Sequence, residues 1–302
     1  MLFGLAAYGI WGLFPLYFRL LDDATPMELL GHRIVWSLVV LMLVLTLRRQ
    51  WGLVRHLRGE PRAFVLATLG GVLIAVNWGV YIWAVNNDHV VEAALGYFVN
   101  PLVTVAAGVV LLDERLRRAQ IAALTIGAVA VVVLTVAYGR VPVIALVLAC
   151  SFGGYSLVKK LVPLDPMSSL TVEAAVLTPV ALVGLGVLSG RGDLAFGAEG
   201  LGLSLLLVSA GVVTVIPLVL FGAAARLVPL SMLGLMQYLT PTLQFLCGVV
   251  VFHEHVTGAR WVGFSLVWLA LCVLTWDMVR VTRQRRPAVA PTAVLPTVSA
   301  GE

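Results

Sequence analysis

Charge is scarce in this chain: 12% of its 302 residues are charged and 61% are hydrophobic, leaving too little polar surface for water to coat a globule of this size. A water-soluble fold is excluded on that ground. Strict apolar/polar alternation is also missing from stretches such as 35–47 and 121–136, which excludes a transmembrane barrel of period-two strands. Cysteine is sparse, and Cys150, Cys247 and Cys272 stand alone in apolar runs with no CxxC pair, so they read as small packing residues. Enzyme signatures are lacking too. His253-Glu254-His255 does not have the i, i+4 histidines of HExxH, and Gly190-Arg191-Gly192-Asp193 has no second buried aspartate to work with. Neither a Walker A loop nor a GxSxG elbow occurs. These absences predict no enzyme, no ATP-driven pump, no cofactor and no metal. The first apolar run is long and has no basic leader, so no cleavable signal is expected.

What the chain does have is apolar runs of bilayer-crossing length, near 2–21, 27–47, 63–86, 90–112, 118–138, 141–161, 167–189, 200–224, 230–252 and 258–279. They predict an all-α integral membrane protein with ten transmembrane helices. The net charge of +5 carries no nucleic-acid signal, because its distribution follows membrane orientation. With the N-terminus in the cytoplasm, fifteen Lys and Arg fall on inner loops and tail, Lys159 and Lys160 among them, against five outside, Arg19, Arg33, Arg140, Arg191 and Arg260. Both termini are therefore expected in the cytoplasm.

The helices repeat. Tyr97-Phe98-Val99-Asn100-Pro101, Gly108 and Glu114 recur 140 positions later as Gln237-Tyr238-Leu239-Thr240-Pro241, Gly248 and Glu254, and Pro26-Met27 recurs as Pro166-Met167. Five helices per unit is an odd number, so the second unit enters from the opposite side: two inverted five-helix repeats, 1–140 and 141–279, followed by a disordered cytoplasmic tail over 280–302.

Polar side chains inside such runs mark candidate sites, since hydrogen-bonding groups in hydrocarbon need partners. Tyr97, Asn100 and Thr104 share one face of the fourth helix, and Gln237, Thr240 and Gln244 share the equivalent face of the ninth. Such stripes serve either as interhelical glue or as cavity lining, and their symmetry favours a cavity. Pro101 and Pro241 each remove a backbone donor and predict helix breaks. In the second helix His32 and Trp36 are i, i+4, and Arg33 is about 9 Å inside the outer edge at 1.5 Å per residue, too deep to leave unsolvated. Its 140-displaced counterpart is Glu173, near the opposite surface, so the two read as groups in opposed vestibules, with Glu173 the candidate for titration. Asn77 and Tyr81, with Trp78 between them, add amide and aromatic groups in the third helix. Trp51, Trp83 and Trp276 read as interfacial anchors.

The strings Leu29-Leu30-Gly31-His32-Arg33-Ile34-Val35-Trp36-Ser37, Asn77 to Asn86, Glu92 to Leu102 and Gln237 to Phe245 resemble the RarD family over about residues 4–277. That resemblance implies an EamA-type member of the drug/metabolite transporter superfamily, with a central substrate cavity and the name of a chloramphenicol-sensitivity permease of the bacterial inner membrane. The expectation is alternating access for a small metabolite or drug-like solute, with the lipid bilayer and a small-molecule substrate as partners, proton coupling through His32 and Glu173, and a monomeric or homodimeric state. A nontransporting membrane scaffold or assembly factor is the alternative.

Overall fold

The computed structural model describes residues 1–49, 51–52, 57, 59–87, 89–139, 141–253 and 258–284. Among them every regular element is helical. Ten segments follow in order. The first comprises α1 (Leu2–Gly12), α2 (Phe14–Phe18) and a single 3₁₀ turn, and the next six are α3 (Pro26–Leu47), α4 (Pro61–Asn86), α5 (Val90–Leu112), α6 (Arg118–Tyr138), α7 (Val143–Leu161) and α8 (Pro166–Arg191). Then come α9 (Leu201–Leu227), a composite of α10 (Leu230–Met236), α11 (Leu239–Leu246) and a π-helical turn Cys247–Val251, and finally α12 (Gly258–Gln284). Among the described residues nine segments are long and apolar enough by themselves to cross a bilayer, and the tenth carries the apolar stretch Trp261–Asp277. Outward faces are apolar as well, with Leu47, Val110, Val136 and Val180 each more than 70% exposed, a surface that lipid covers and water would not. Expected helix edges hold to within a few residues, but α12 runs to Gln284, past the expected tail boundary at 279. Residues 285–302 lie outside the described residues, as do Arg140 and Glu254.

Local chemistry explains the ends. Thr25 caps α3 by accepting from the Glu28 N–H at 3.2 Å, and Asp165 caps α8 by accepting from the Met167 and Ser168 N–H groups at 3.1 Å. Each cap precedes a proline at the first helical position, where the missing N–H costs nothing. Asp113 after α5 (φ 52°) and His253 after the π-helical turn (φ 53°) both take the left-handed conformation, and they are 140 residues apart.

Packing between the two halves repeats under the same displacement. α4 packs on α7 as α9 packs on α1, α4 on α8 as α9 on α3, and α5 on α7 as α11 on α1, while α3–α8, α5–α10 and α6–α12 each pair a helix with its own counterpart. Small residues permit the closest of these approaches. A Cβ at Gly211 would fall 2.4 Å from the Trp36 carbonyl carbon, so α9 and α3 touch backbone to backbone there. Glu114 ties the halves by accepting from Leu230 and Ser231 N–H at 2.6 and 2.7 Å, which satisfies two orphan donors of α10.

The expected pair of proline breaks is corrected to one. Pro101 sits within an uninterrupted α5, whereas the ninth segment breaks at Gln237-Tyr238, the turn left without a donor by Pro241. There the Gln237 carbonyl accepts instead from Thr240 N–H at 3.1 Å. α5 stays continuous where Gly234 lets α10 lie directly on the Pro101 carbonyl and Thr104, bracing the helix across the proline.

Candidate functional site

A cavity of about 240 Å³ lies between the halves, walled by α1 to α5 on one side and by α7, α9 and the broken ninth segment on the other. Eight sequence candidates line it: Arg33, Asn77, Tyr81, Tyr97 and Asn100 from the first half, Gln237, Thr240 and Gln244 from the second. Arg33 supplies the one charged side chain of the lining. Its Nε–H donates to Thr214 Oγ1 at 3.0 Å, and its guanidinium carbon stands 4.6 Å from the centre of the Trp78 ring, 5.5 Å from Phe18 and 5.7 Å from Phe14. Among the described residues no carboxylate lies within ion-pair distance of it. Aromatic faces hold it in place by cation–π attraction and leave its charge uncancelled. Asn100 and Gln237 are each 4% exposed, and Asn100 Oδ1 and Gln237 Oε1 have no hydrogen-bond partner among the described residues. Tyr8 Oη, also in the lining, is likewise unpartnered.

The other polar candidates in the lining also hold helices together. Asn77 Nδ2 donates to the Leu148 carbonyl at 2.9 Å and to Ser151 Oγ at 3.1 Å, Thr240 Oγ1 donates to the Tyr8 carbonyl at 3.0 Å, and Gln244 Nε2 reaches the Trp11 carbonyl at 3.4 Å. Glue and lining are thus not exclusive here. Tyr81 and Tyr97 meet edge to face with ring centres 6.2 Å apart.

His32, Trp36, Thr104 and Glu173 lie outside the cavity. Trp36 Nε1–H donates to His32 Nδ1 at 3.1 Å, so that nitrogen carries no proton while the bond stands. His32 Nε2 is 3.9 Å from Glu28 Oε1, too far for a hydrogen bond, and Glu28 itself accepts from Ala195 and Phe196 N–H, pinning the loop after α8. Thr104 is buried against Gly234. Glu173 belongs to a closed cluster: its Oε1 accepts from Lys159 Nζ at 2.5 Å and Ser169 Oγ at 2.7 Å, and its Oε2 accepts from Tyr155 Oη at 3.1 Å. Lys159 and Glu173 are each 1% exposed. Lys159, counted with the inner-side charges, is not solvated: in the last turn of α7 its side chain folds inward to Glu173 of the next helix.

Between this cluster and the cavity stands an aromatic layer that sequence reasoning missed. Tyr8, Trp11, Phe152, Tyr155 and Phe221 pack on one another with centre distances of 5.5 to 6.0 Å, Tyr155 and Phe221 nearly parallel at 9°. Tyr8, Trp11 and Phe152 also line the cavity, so they form its floor.

Comparison with known proteins connects this architecture to a family. The model of the EamA-like transporter family matches residues 1–136. A RarD protein of Streptomyces exfoliatus is 52% identical over 297 residues, covering 97% of this chain and 94% of its own length. This chain belongs to the RarD family. Further relatives include the RarD protein of Escherichia coli K12, 38% identical over 94% of this chain and 96% of its own length, and an uncharacterised transporter of Bacillus subtilis 168, YojE, 42% identical over 90% and 91%. A crystal structure of a protein at 23% identity superposes with a TM-score of 0.66 over 91% of this chain and 97% of its own, which places the fold among solved ones. The RarD-family chain is a multi-pass bacterial membrane protein and a membrane transporter, and that class implies a small-molecule substrate and a lipid bilayer.

Proposed function

We propose that this RarD-family protein moves a small metabolite or drug-like solute across the bacterial inner membrane by alternating access, with the central cavity as the substrate site. The observation that carries the reading is the cavity itself: it lies between the halves, contains the uncancelled charge of Arg33, and presents buried Asn100 and Gln237 amides with no partner among the described residues. Such groups are unfavourable in an apolar interior unless a ligand or water completes them. At about 240 Å³ it falls below the roughly 300–1,000 Å³ of pockets for drug-sized ligands, which favours a metabolite of modest size.

Two inverted five-helix repeats, 1–140 and 141–279, are part of the proposal. The exchange of helix pairs under one displacement supports it, since inverted repeats meeting at a midplane site are a recurrent basis for rocking between two access states. So is an orientation with both termini cytoplasmic, which turns the Arg33 end outward and the Lys159–Glu173 end inward. Asp88, in a loop this orientation exposes outside, lies outside the described residues, but Asp193 after α8 is exposed and tests the same side. In a background without Cys150, Cys247 and Cys272, a cysteine at Asp193 should react with an impermeant thiol reagent in intact cells and one at Gly52 should not. The opposite pattern reverses the orientation. Proton coupling is proposed through the two candidates outside the cavity, His32 and Glu173, in a monomer or homodimer.

Flux in proteoliposomes tests the central claim. Compounds whose cellular levels change when the protein is absent or overproduced should exchange across vesicles containing it and not across empty ones. Absence of flux for all of them would leave the scaffold reading.

A further inference from the structure

Arg33 is the only charged group in the cavity lining, and the protein uses little of its hydrogen-bonding capacity. Its Nε–H is taken by Thr214, while its guanidinium carbon lies over the rings of Trp78, Phe14 and Phe18. The terminal Nη groups have no protein acceptor among the described residues. A planar fork of N–H donors fits a carboxylate with two parallel hydrogen bonds. Charge matching narrows the ligand further. One positive charge balances a monoanion, whereas a phosphate monoester brings about −1.5 to −2 at neutral pH and would leave excess negative charge in an apolar enclosure.

The rest of the lining describes the body of the ligand. Trp11, Tyr97 and Phe152 line the cavity with aromatic rings, an apolar wall that suits a planar apolar group. The Asn100 and Gln237 side chains, 4% exposed and without hydrogen bonds to the described residues, offer both donor and acceptor whichever way their amides are turned. A ligand that fills this part of the cavity therefore carries a hydroxyl, amine or amide of its own.

We infer that the cavity binds a monocarboxylate with a flat, largely apolar body bearing at least one hydrogen-bonding group, Arg33 holding the carboxylate and the Asn100/Gln237 pair meeting the polar group. This rests on the reading of the cavity as the substrate site and names the chemical class that site takes. Neutral solutes leave the guanidinium without its acceptor, and cations are repelled by it.

The test is a binding measurement on the purified full-length protein in detergent, read as the shift in its melting temperature with millimolar benzoate, phenylacetate, 4-hydroxyphenylacetate and indole-3-acetate. Neutral 4-hydroxyphenylacetamide, cationic tyramine and dianionic phenyl phosphate serve as comparisons. The expected result is stabilisation by carboxylates, 4-hydroxyphenylacetate more than phenylacetate, with the amide at least about tenfold weaker in apparent affinity. Arg33→Gln should abolish the preference for carboxylate over amide. If that variant fails to fold, the carboxylate–amide comparison on the unaltered protein still decides. No shift with any carboxylate, an equal shift with the amide or tyramine, or a larger shift with phenyl phosphate would overturn the assignment. Carboxylate binding without flux would instead sink the transport reading and leave this one standing; flux of neutral solutes without carboxylate binding would do the reverse.

Discussion

Arg33 and Glu173 occupy corresponding positions, 140 residues apart on α3 and α8, and the protein treats their charges in opposite ways. Glu173 is neutralised from within by Lys159 and saturated by Ser169 and Tyr155 behind a layer of stacked rings. Arg33 has aromatic faces and one threonine, and it opens onto a cavity. A charge in low dielectric is costly until compensated, so the first arrangement closes its end of the bundle and the second leaves a requirement that a solute can satisfy. Under the proposed orientation this is the difference between a sealed inner end and a receptive outer one.

The largest expected effect comes from breaking the closed side. Glu173→Gln or Lys159→Met leaves its partner buried and unpaired and should lower stability by about 3–5 kcal/mol, seen as a large drop in melting temperature in detergent. The double variant Lys159→Met/Glu173→Met removes both charges and should recover most of that loss. If either single variant melts like the parent, the pair is not a closed one. Arg33→Gln should be milder, costing less than about 2 kcal/mol through lost cation–π contacts and the Thr214 hydrogen bond while removing most transport. Arg33→Lys keeps the charge but not the fork, and should recover only part of the flux. Equal stability losses at the two ends would erase the distinction between them.

The same comparison shows why some of the site was legible in the sequence. Arg33, Asn100 and Gln237 stood out because a polar group in a long apolar run has no reason to be there except a partner. Trp11 and Phe152 did not, because a ring that floors a cavity has the same composition and spacing as one that packs against a neighbour. The partner of Lys159 is not legible in the sequence, because a lysine at the edge of a span usually faces the headgroups; only the reach of its side chain to Glu173 of α8 reveals its acid. The continuity of α5 through Pro101 was hidden for a similar reason, since it depends on how α10 packs across it.

The two ends also differ in how tightly equivalent glycines are packed. A Cβ at Gly211 would meet the Trp36 backbone at 2.4 Å, whereas one at its counterpart Gly71 would sit 3.3 Å from the Glu173 Cα. Gly211→Ala should therefore force α9 off α3 near Arg33 and cost about 1–3 kcal/mol, and Gly71→Ala under about 1 kcal/mol. Melting temperatures of the two variants, measured side by side, check the order; a reversed order would mean that the Lys159 end is the tighter interface.

The smallest effects test a second pair related by the repeat, Thr104 and Gln244. Thr104 is 0% exposed, outside the cavity, and its Oγ1 has no partner. Replacing it with valine keeps the shape and removes a hydroxyl that makes no hydrogen bond, so Thr104→Val should change stability by less than about 1 kcal/mol and leave flux intact. Gln244 lines the cavity and makes one long contact, 3.4 Å, to the Trp11 carbonyl. Little stability rests on a bond of that length, so Gln244→Ala should melt close to the parent and yet transport less, because what it removes is a polar group presented to the solute. The comparison turns on which variant separates flux from stability. A flux defect in Thr104→Val with none in Gln244→Ala would move the solute path to the other side of α5 and away from the cavity that Arg33 faces.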